Sequence, residues 1–433
     1  MNSIYPVPRR LPAPVGLALV LSLALCLPAL AQKYTITDLN EPGDSYRMAY
    51  GINSTGEVVG EYGSTNGLRL GAFVHRNGTN SDLGMLAGYV NAYAYGINDD
   101  GRIVGWCDAL SGLERAFLYS NTGMANLGTL GTLPAMGYSE AFTINRSGQI
   151  VGTASLSETW INHAVLWNGA AKKDLGSLAG PAYNSSAFGI NNVGVIVGES
   201  EVLTSIFVHA FVYSNDVMTD LETLPGGAYS RANAINDAGV IVGESDTAVG
   251  AGFQVHAFVC RQGPGSMQDL GTLGGPQSSA YGINSAGHIV GYAVDGNQVS
   301  RAFLYDGSKL LNLNELIPAG LGWTNLEAAV GINDAGQIAG YGQFADGVYH
   351  AFLLTPASSA PQAVISDAAF NANKFSFSFG TDSGHSYACQ YTTVLPAGNN
   401  WVTFTNLDGN GQVVRVTDPT PTNAQRFYRV VAQ

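Results

Sequence analysis

Along most of the chain, hydrophobic residues fall in short alternating runs separated by Gly, Asn, Asp and Ser, the pattern of half-buried strands joined by tight turns. The stretch 280–313 shows the pattern clearly. Ala280-Tyr-Gly-Ile-Asn284 is followed by a turn at Ser285-Ala286-Gly287, then His288-Ile-Val-Gly-Tyr292, Ala302-Phe-Leu-Tyr305, a tight turn at Asp306-Gly307, and Leu310-Leu-Asn-Leu313. No segment keeps a helical period, so four strands are predicted here.

The same phrase recurs in register, with its Ile-Asn at Asn53, Asn98, Asn145, Asn191, Asn236, Asn284 and Asn333. The intervals are 45, 47, 46, 45, 48 and 49 residues, giving seven copies. A four-stranded unit of this length lies in the range of propeller repeats, and one such sheet cannot bury both faces by itself. A solenoid would leave two open ends needing atypical caps, and none is visible. The expected fold is all-β: a seven-bladed β-propeller of four-stranded repeats over 32–355, with a small C-terminal β-sandwich over 362–433 and a linker at 356–361.

Loop lengths order the strands within a copy. Short turns join the first strand to the second and the third to the fourth, whereas the link to the next Ala-x-Gly-Ile-Asn is longer, as in Gly271–Ser279. That link is expected to cross from the outer strand of one blade to the inner strand of the next, with the small residues of the phrase letting the inner strands approach one another. Tyr34-Thr-Ile-Thr-Asp-Leu39 matches a fourth strand with no first three, and copy seven ends at Ala351-Phe-Leu-Leu354 without a fourth. Tyr34–Leu39 is therefore expected to pair with Ala351–Leu354 and close the propeller. Beyond Pro356, alternating runs at 374–379, 387–391, 401–404, 413–416 and 427–431 predict the sandwich strands.

Composition agrees with this reading and adds a compartment. Charged residues are 12% of the chain and Gly 55 of its 433 residues, which suits packed strands and turns. Residues 1–31 read as a signal peptide, with Arg9-Arg10, an apolar stretch from Leu17 to Leu30 and Ala29-Leu30-Ala31 as a small-x-small cleavage site. The apolar part, Val15 to Leu27, is short for a membrane span, and no membrane span is expected in the mature chain. The expected location is secreted or extracellular, with the periplasm as the alternative. The formal net charge is −13, and loss of Arg9 and Arg10 would take it to −15, which argues against nucleic acid as a partner. Three cysteines would remain, Cys107, Cys260 and Cys389, an odd and scattered set that is no disulfide framework.

The phrases Asp269-Leu-Gly-Thr-Leu-Gly-Gly275, Ala280-Tyr-Gly-Ile-Asn284 with Ile289-Val-Gly291, and His256-Ala-Phe258 resemble the HAF repeat family of extracellular bacterial proteins. The resemblance spans about three quarters of the chain and implies a secreted repeat protein, but no activity, because members are mostly described as of unknown function. The segment with Gly384-x-x-Tyr387 and Asp418-Pro419 to Arg426-Phe-Tyr-Arg429 looks like small β-domains at the ends of other secreted bacterial proteins.

The repeated Asn opens a turn that closes on Gly, a local hydrogen-bonding role. Asp38, Asp82, Asp174, Asp220 and Asp269, replaced by Asn126 and Asn312, are expected to fix the loop into the next blade; a lone Asp lacks the alternating ligands of a calcium loop. Before each Ala-Phe-type strand stand Gly71, Arg115, His163, His209, His256, Arg301 and His350, too far apart in a ring to share a metal, and a blade-to-blade contact is expected of them. No nucleophile elbow, zinc motif or phosphate loop is present, so neither a catalytic residue, a cofactor nor a metal is assigned. Glu140 and Glu158 are acids without counterparts in other copies. Aromatics near the start of the variable loops, Tyr62, Trp106, Trp160, Phe207, Phe253, Tyr292 and Tyr341, could stack on sugars or contact a protein, or simply pack between blades. All but Tyr62 are carried as candidate ligand-binding residues. The expected function is a secreted, monomeric, non-catalytic binding or surface-interaction protein with a carbohydrate or protein ligand. A carbohydrate-active enzyme, lyase or glycosidase, with its site assembled from propeller loops, is the alternative.

Overall fold

The computed structural model describes residues 34–64, 70–131, 137–156, 161–203, 207–247, 254–357, 365–371, 374–381, 385–393, 401–418 and 426–432. The signal-peptide reading of 1–31 and most of the linker reading fall outside these residues.

The chain is all-β, with a single short 3-10 turn, Leu313–Glu315, among the described residues. Each Ile-Asn copy opens a four-stranded antiparallel set of propeller-like form. In copy two, Asn91–Ile97 pairs with Ile103–Asp108, then Glu114–Ser120, then Gly123–Asn126, the order read from loop lengths. Copies five and six are joined into one larger sheet by a parallel bridge between Val255 and Gln277. The strand Tyr34–Asp38 pairs with Tyr349–Pro356, setting Ile36 opposite Leu354 and Asp38 opposite Phe352, as the incomplete copy seven required.

Two positions make the first hairpin of a copy compact. In copy two the first strand bulges between Ala94 and Gly96, which pushes its backbone against Gly105 of the second strand. A Cβ on Gly105 would collide with the Tyr93 carbonyl oxygen, so only glycine fits. Gly96 serves the approach to the next copy: a Cβ there would lie 2.7 Å from the Phe142 carbonyl oxygen. Between copies the core is aliphatic and aromatic, as where Ala92, Ala94 and Ile103 pack with Phe117, Leu83 and Leu86.

The seven Asn side chains are all buried, and each is used twice. The Oδ1 accepts from the turn that follows, as from Arg102 N at 3.0 Å for Asn98. The Nδ2 donates to the Asn carbonyl of the next copy, from Asn53 to Asn98 at 3.2 Å, Asn98 to Asn145 at 3.2 Å, Asn145 to Asn191 at 3.1 Å and Asn191 to Asn236 at 3.2 Å. It continues from Asn236 to Asn284 at 3.0 Å, Asn284 to Asn333 at 3.2 Å, and from Asn333 back to Asn53 at 3.0 Å.

The Asp column does what was expected of it: Asp174 Oδ1 accepts from Gly176 N at 2.8 Å, and Asn126 and Asn312 accept from the equivalent backbone N–H groups. The histidines differ from expectation. His163, His209, His256 and His350 hydrogen-bond Asp174, Asp220, Asp269 and Asp38, at 2.7 to 3.0 Å, on the fourth strand of the same sheet. An imidazole is short, and the antiparallel neighbour two positions off lies within its reach, whereas the longer arginines do bridge copies. Arg115 donates to the Gly137 carbonyl, and Arg301 reaches Asn325 Oδ1 at 2.9 Å as well as Asp295.

The C-terminal strands form two three-stranded antiparallel sheets. One contains Ser366–Asn371, Lys374–Gly380 and Val413–Asp418; the other contains Val402–Asp408, Ser386–Thr392 and Phe427–Ala432. Phe377, Phe379, Tyr387, Cys389 and Val416 form their common core. Asp418 is fully buried, accepts from the Tyr428 hydroxyl at 2.8 Å and pairs with Arg426, which accounts for the charged ends of that motif. Cys107, Cys260 and Cys389 are free and buried, and burial pushes the Cys107 and Cys389 thiols up to about 11.

Candidate functional site

The residue after each second-strand Gly, and the first-strand residue facing it, vary among the copies, with Glu recurring as Glu61, Glu199 and Glu244 and Tyr as Tyr292 and Tyr341. Trp106 faces Tyr93, Thr153 faces Glu140, Glu199 faces Ser186, and Glu244 faces Arg231. Period-two alternation sends the next first-strand side chain on that face two residues further on, which brings Tyr95, Phe142 and Phe188 together. Trp106, Thr153, Glu140, Ser186, Glu199, Arg231 and these three rings, with Tyr138, Asn162 and Asn184, line a cavity of about 370 Å³.

The aromatic wall is continuous across copies one to four. Tyr50 stacks on Tyr95 with ring centroids 4.8 Å apart and planes at 7°, Phe142 meets Tyr95 edge-on at 5.7 Å, and Phe188 lies 5.1 Å from Phe142. Trp106 stacks on Tyr93 at 3.9 Å. The guanidinium of Arg231 ends the series, its Cζ 3.8 Å from the centre of the Phe188 ring and its Nε 3.9 Å from Glu199. At 3.9 Å that ion pair is too long for a hydrogen bond, and Arg231 Nε has no hydrogen-bond partner.

Carboxyls in this region are held protonated to unusually high pH. Burial, then contact with Glu114, pushes Glu140 up to about 7, against partial relief from a hydrogen bond to Tyr138. Burial raises Glu199 too, with Arg231 opposing and Glu244 adding to the rise. Glu61 is raised by burial, although the hydroxyl of Tyr50 donates to it at 3.0 Å. The cavity can therefore offer flat apolar faces, one carboxyl, Glu140, that exchanges its proton near neutrality, a second carboxyl, a guanidinium and several amide and hydroxyl groups.

The aromatic candidates separate. Trp106 lines the cavity. Tyr292 and Tyr341 occupy the equivalent position in copies six and seven, half-buried, with Tyr292 5.8 Å from Tyr281 and Tyr341 6.2 Å from Tyr349. Phe207 is 41% exposed, apart from the cavity lining. Trp160 and Phe253, with Glu158, lie outside the described residues. Tyr62 packs over Gly71, where a Cβ would strike its ring, and beneath the Arg47 guanidinium at 5.0 Å. Glu140 proved to be a lining residue. Glu199, Arg231, Tyr95, Phe142 and Phe188 escaped the sequence reading, though aligning the copies on Ile-Val-Gly puts Glu199 in the column of Trp106. Among the described residues no group of three or more His, Cys, Asp or Glu side chains could hold a metal ion, and no helix is long and apolar enough to cross a membrane.

Residues 178–353 match the model of a family described as "Protein of unknown function (DUF3466)". No curated protein matches the chain. Among solved structures, the chain is similar to TolB from Acinetobacter baumannii, with 12% identity, 66% of this chain and 76% of that one covered, and a TM-score of 0.39. It is also similar to the β-propeller domain of the Trilobed protease from Pyrococcus furiosus, at 9% identity, 64% and 84% coverage and a TM-score of 0.42. A third is the six-bladed β-propeller fucose-recognising lectin of Aleuria aurantia, at 10% identity, 66% and 97% coverage and a TM-score of 0.33.

Proposed function

We propose that this chain is a secreted, monomeric saccharide-binding protein of the HAF repeat type, built on a closed seven-bladed propeller that carries its ligand in the Trp106–Arg231 cavity. Closure is supported by the Asn hydrogen bonds that return from Asn333 to Asn53 and by the pairing of Tyr34–Asp38 with Tyr349–Pro356. The propeller spans 32–355 and a β-sandwich 362–433, after removal of residues 1–31 on export. The observation that carries the binding reading is the cavity lining: rings for the apolar face of a sugar, beside Asn162, Asn184, Ser186 and carboxyls for its hydroxyls. A glycan array probed with the wild type and with Trp106→Ala tests it. Binding of a saccharide class that the variant loses supports the reading, and an array blank for the wild type refutes it.

One observation favours a second reading, a carbohydrate-active enzyme. Glu140 and Glu199 line the same cavity, and a carboxyl pushed up to about 7 can act as a proton donor near neutral pH. Turnover of the bound glycan, abolished in Glu140→Gln, would favour it; binding with no product release favours the binding protein.

A further inference from the structure

Glu140 stands on the cavity wall among the rings of Tyr95, Trp106 and Phe142, and the neighbouring Glu114, whose charge bears on it, keeps a buried Oε2 with no hydrogen-bond partner. No basic side chain among the described residues forms an ion pair with either carboxyl. Arg231, the cavity's base, comes from copy five, is held on Phe188 beside Glu199, and exerts the weakest of the named influences on Glu140.

We infer that the cavity's ligand carries a protonated amino group that seats against Glu140, and that the saccharides it selects are amino sugars with a free amine. This rests on the saccharide reading of the same cavity. Two adjacent half-buried carboxyls without a counter-charge repel one another when ionised, and an ammonium supplies the charge that is missing. Its three N–H donors match carboxylate acceptors, and the surrounding ring faces attract a cation through their quadrupoles. An N-acetylated sugar offers one donor and no charge at that point, so it gains none of this. Burial first, and the nearby Glu114 after it, raise the titration of Glu140, and a cation seated against it would favour the ionised form. The chain's formal charge of −13 favours approach of a cation over that of an anion.

The test is calorimetric titration of the full chain with a glucosamine trisaccharide, its N-acetylated counterpart and a linear polyamine. The free-amine sugar is expected to bind at least about tenfold more tightly than the acetylated one. Glu140→Gln should erase that ratio, and Glu114→Gln should reduce it. Titration in buffers of different ionisation heat should show proton release with the amine ligand and none with the acetylated one, a readout that a packing defect in either variant would not imitate. Equal affinity for the two sugars overturns the inference and leaves the saccharide reading standing. Binding of the polyamine with neither sugar supports the amine position and overturns the saccharide reading. No binding of any of the three overturns both.

Discussion

The two ends of the first strands obey different rules. At the turn end every copy has Asn, and each Asn makes the same pair of bonds, one to its own turn and one to the next copy's carbonyl. Three to five residues back along the same strands, the side chains diverge into Tyr93 and Tyr95, Glu140 and Phe142, Ser186 and Phe188, and Arg231 and Asn233. Backbone geometry is common to both ends; only the demand on the side chain differs. A position that must satisfy a neighbour's carbonyl admits one residue type, whereas a position facing open space is free to vary and so can acquire chemistry. Repetition therefore reports scaffold here, and departure from repetition marks the candidate site.

The largest effect is expected where the scaffold admits no substitute. Gly105→Ala drives a Cβ into the Tyr93 carbonyl and should lower stability by about 3 kcal/mol or more, read from denaturant unfolding. Asn98→Ala follows, because it leaves the Arg102 N–H without its partner and takes from the Asn145 carbonyl one of its two donors, Gly148 N–H remaining, at a cost on the order of 1–3 kcal/mol by the same assay. A loss as small as that of a surface substitution would show that the Asn bonds do not hold the copies together.

Glu140→Gln should have a smaller effect, and one of opposite sign. The folded carboxyl titrates at about 7 and an unfolded one at 4.5, so the folded chain holds an extra proton between those limits. That contribution to stability is complete below the unfolded value and is lost as pH rises through 7. The variant escapes the loss, and its advantage over the wild type should grow from near zero at about pH 4 to about 1–3 kcal/mol at about pH 8. A pH-independent difference in melting temperature would contradict the assignment. Phe207→Ser should change least, within about 0.5 kcal/mol, since that ring is already 41% exposed.

Much of the scaffold was legible in the sequence because strands and turns are local. The Ile-Asn spacing, the strand order within a copy, and the pairing of Tyr34–Asp38 with the last repeat strand all follow from alternation and loop length. The His contacts were misjudged as reaching the next copy, because which neighbour a short side chain meets depends on register across a strand pair. The cavity was half legible. Trp106 was singled out for its ring and Glu140 for having no counterpart, yet their meeting with Phe188 and Arg231 is set by packing between copies. A Glu in the column of Trp106 carries no local motif, and its significance appears only when adjacent sheets turn that column toward one space.

The assignment of the ligand to one stretch of the variable column is tested most directly by comparing Trp106→Ala with Tyr292→Ala, two aromatics at the same position of different copies. Binding to the best saccharide found on a glycan array, measured by calorimetry, should fall at least about tenfold in Trp106→Ala and stay within about twofold of wild type in Tyr292→Ala. Equal losses in both, or wild-type binding by Trp106→Ala, would contradict the placement of the ligand in this cavity.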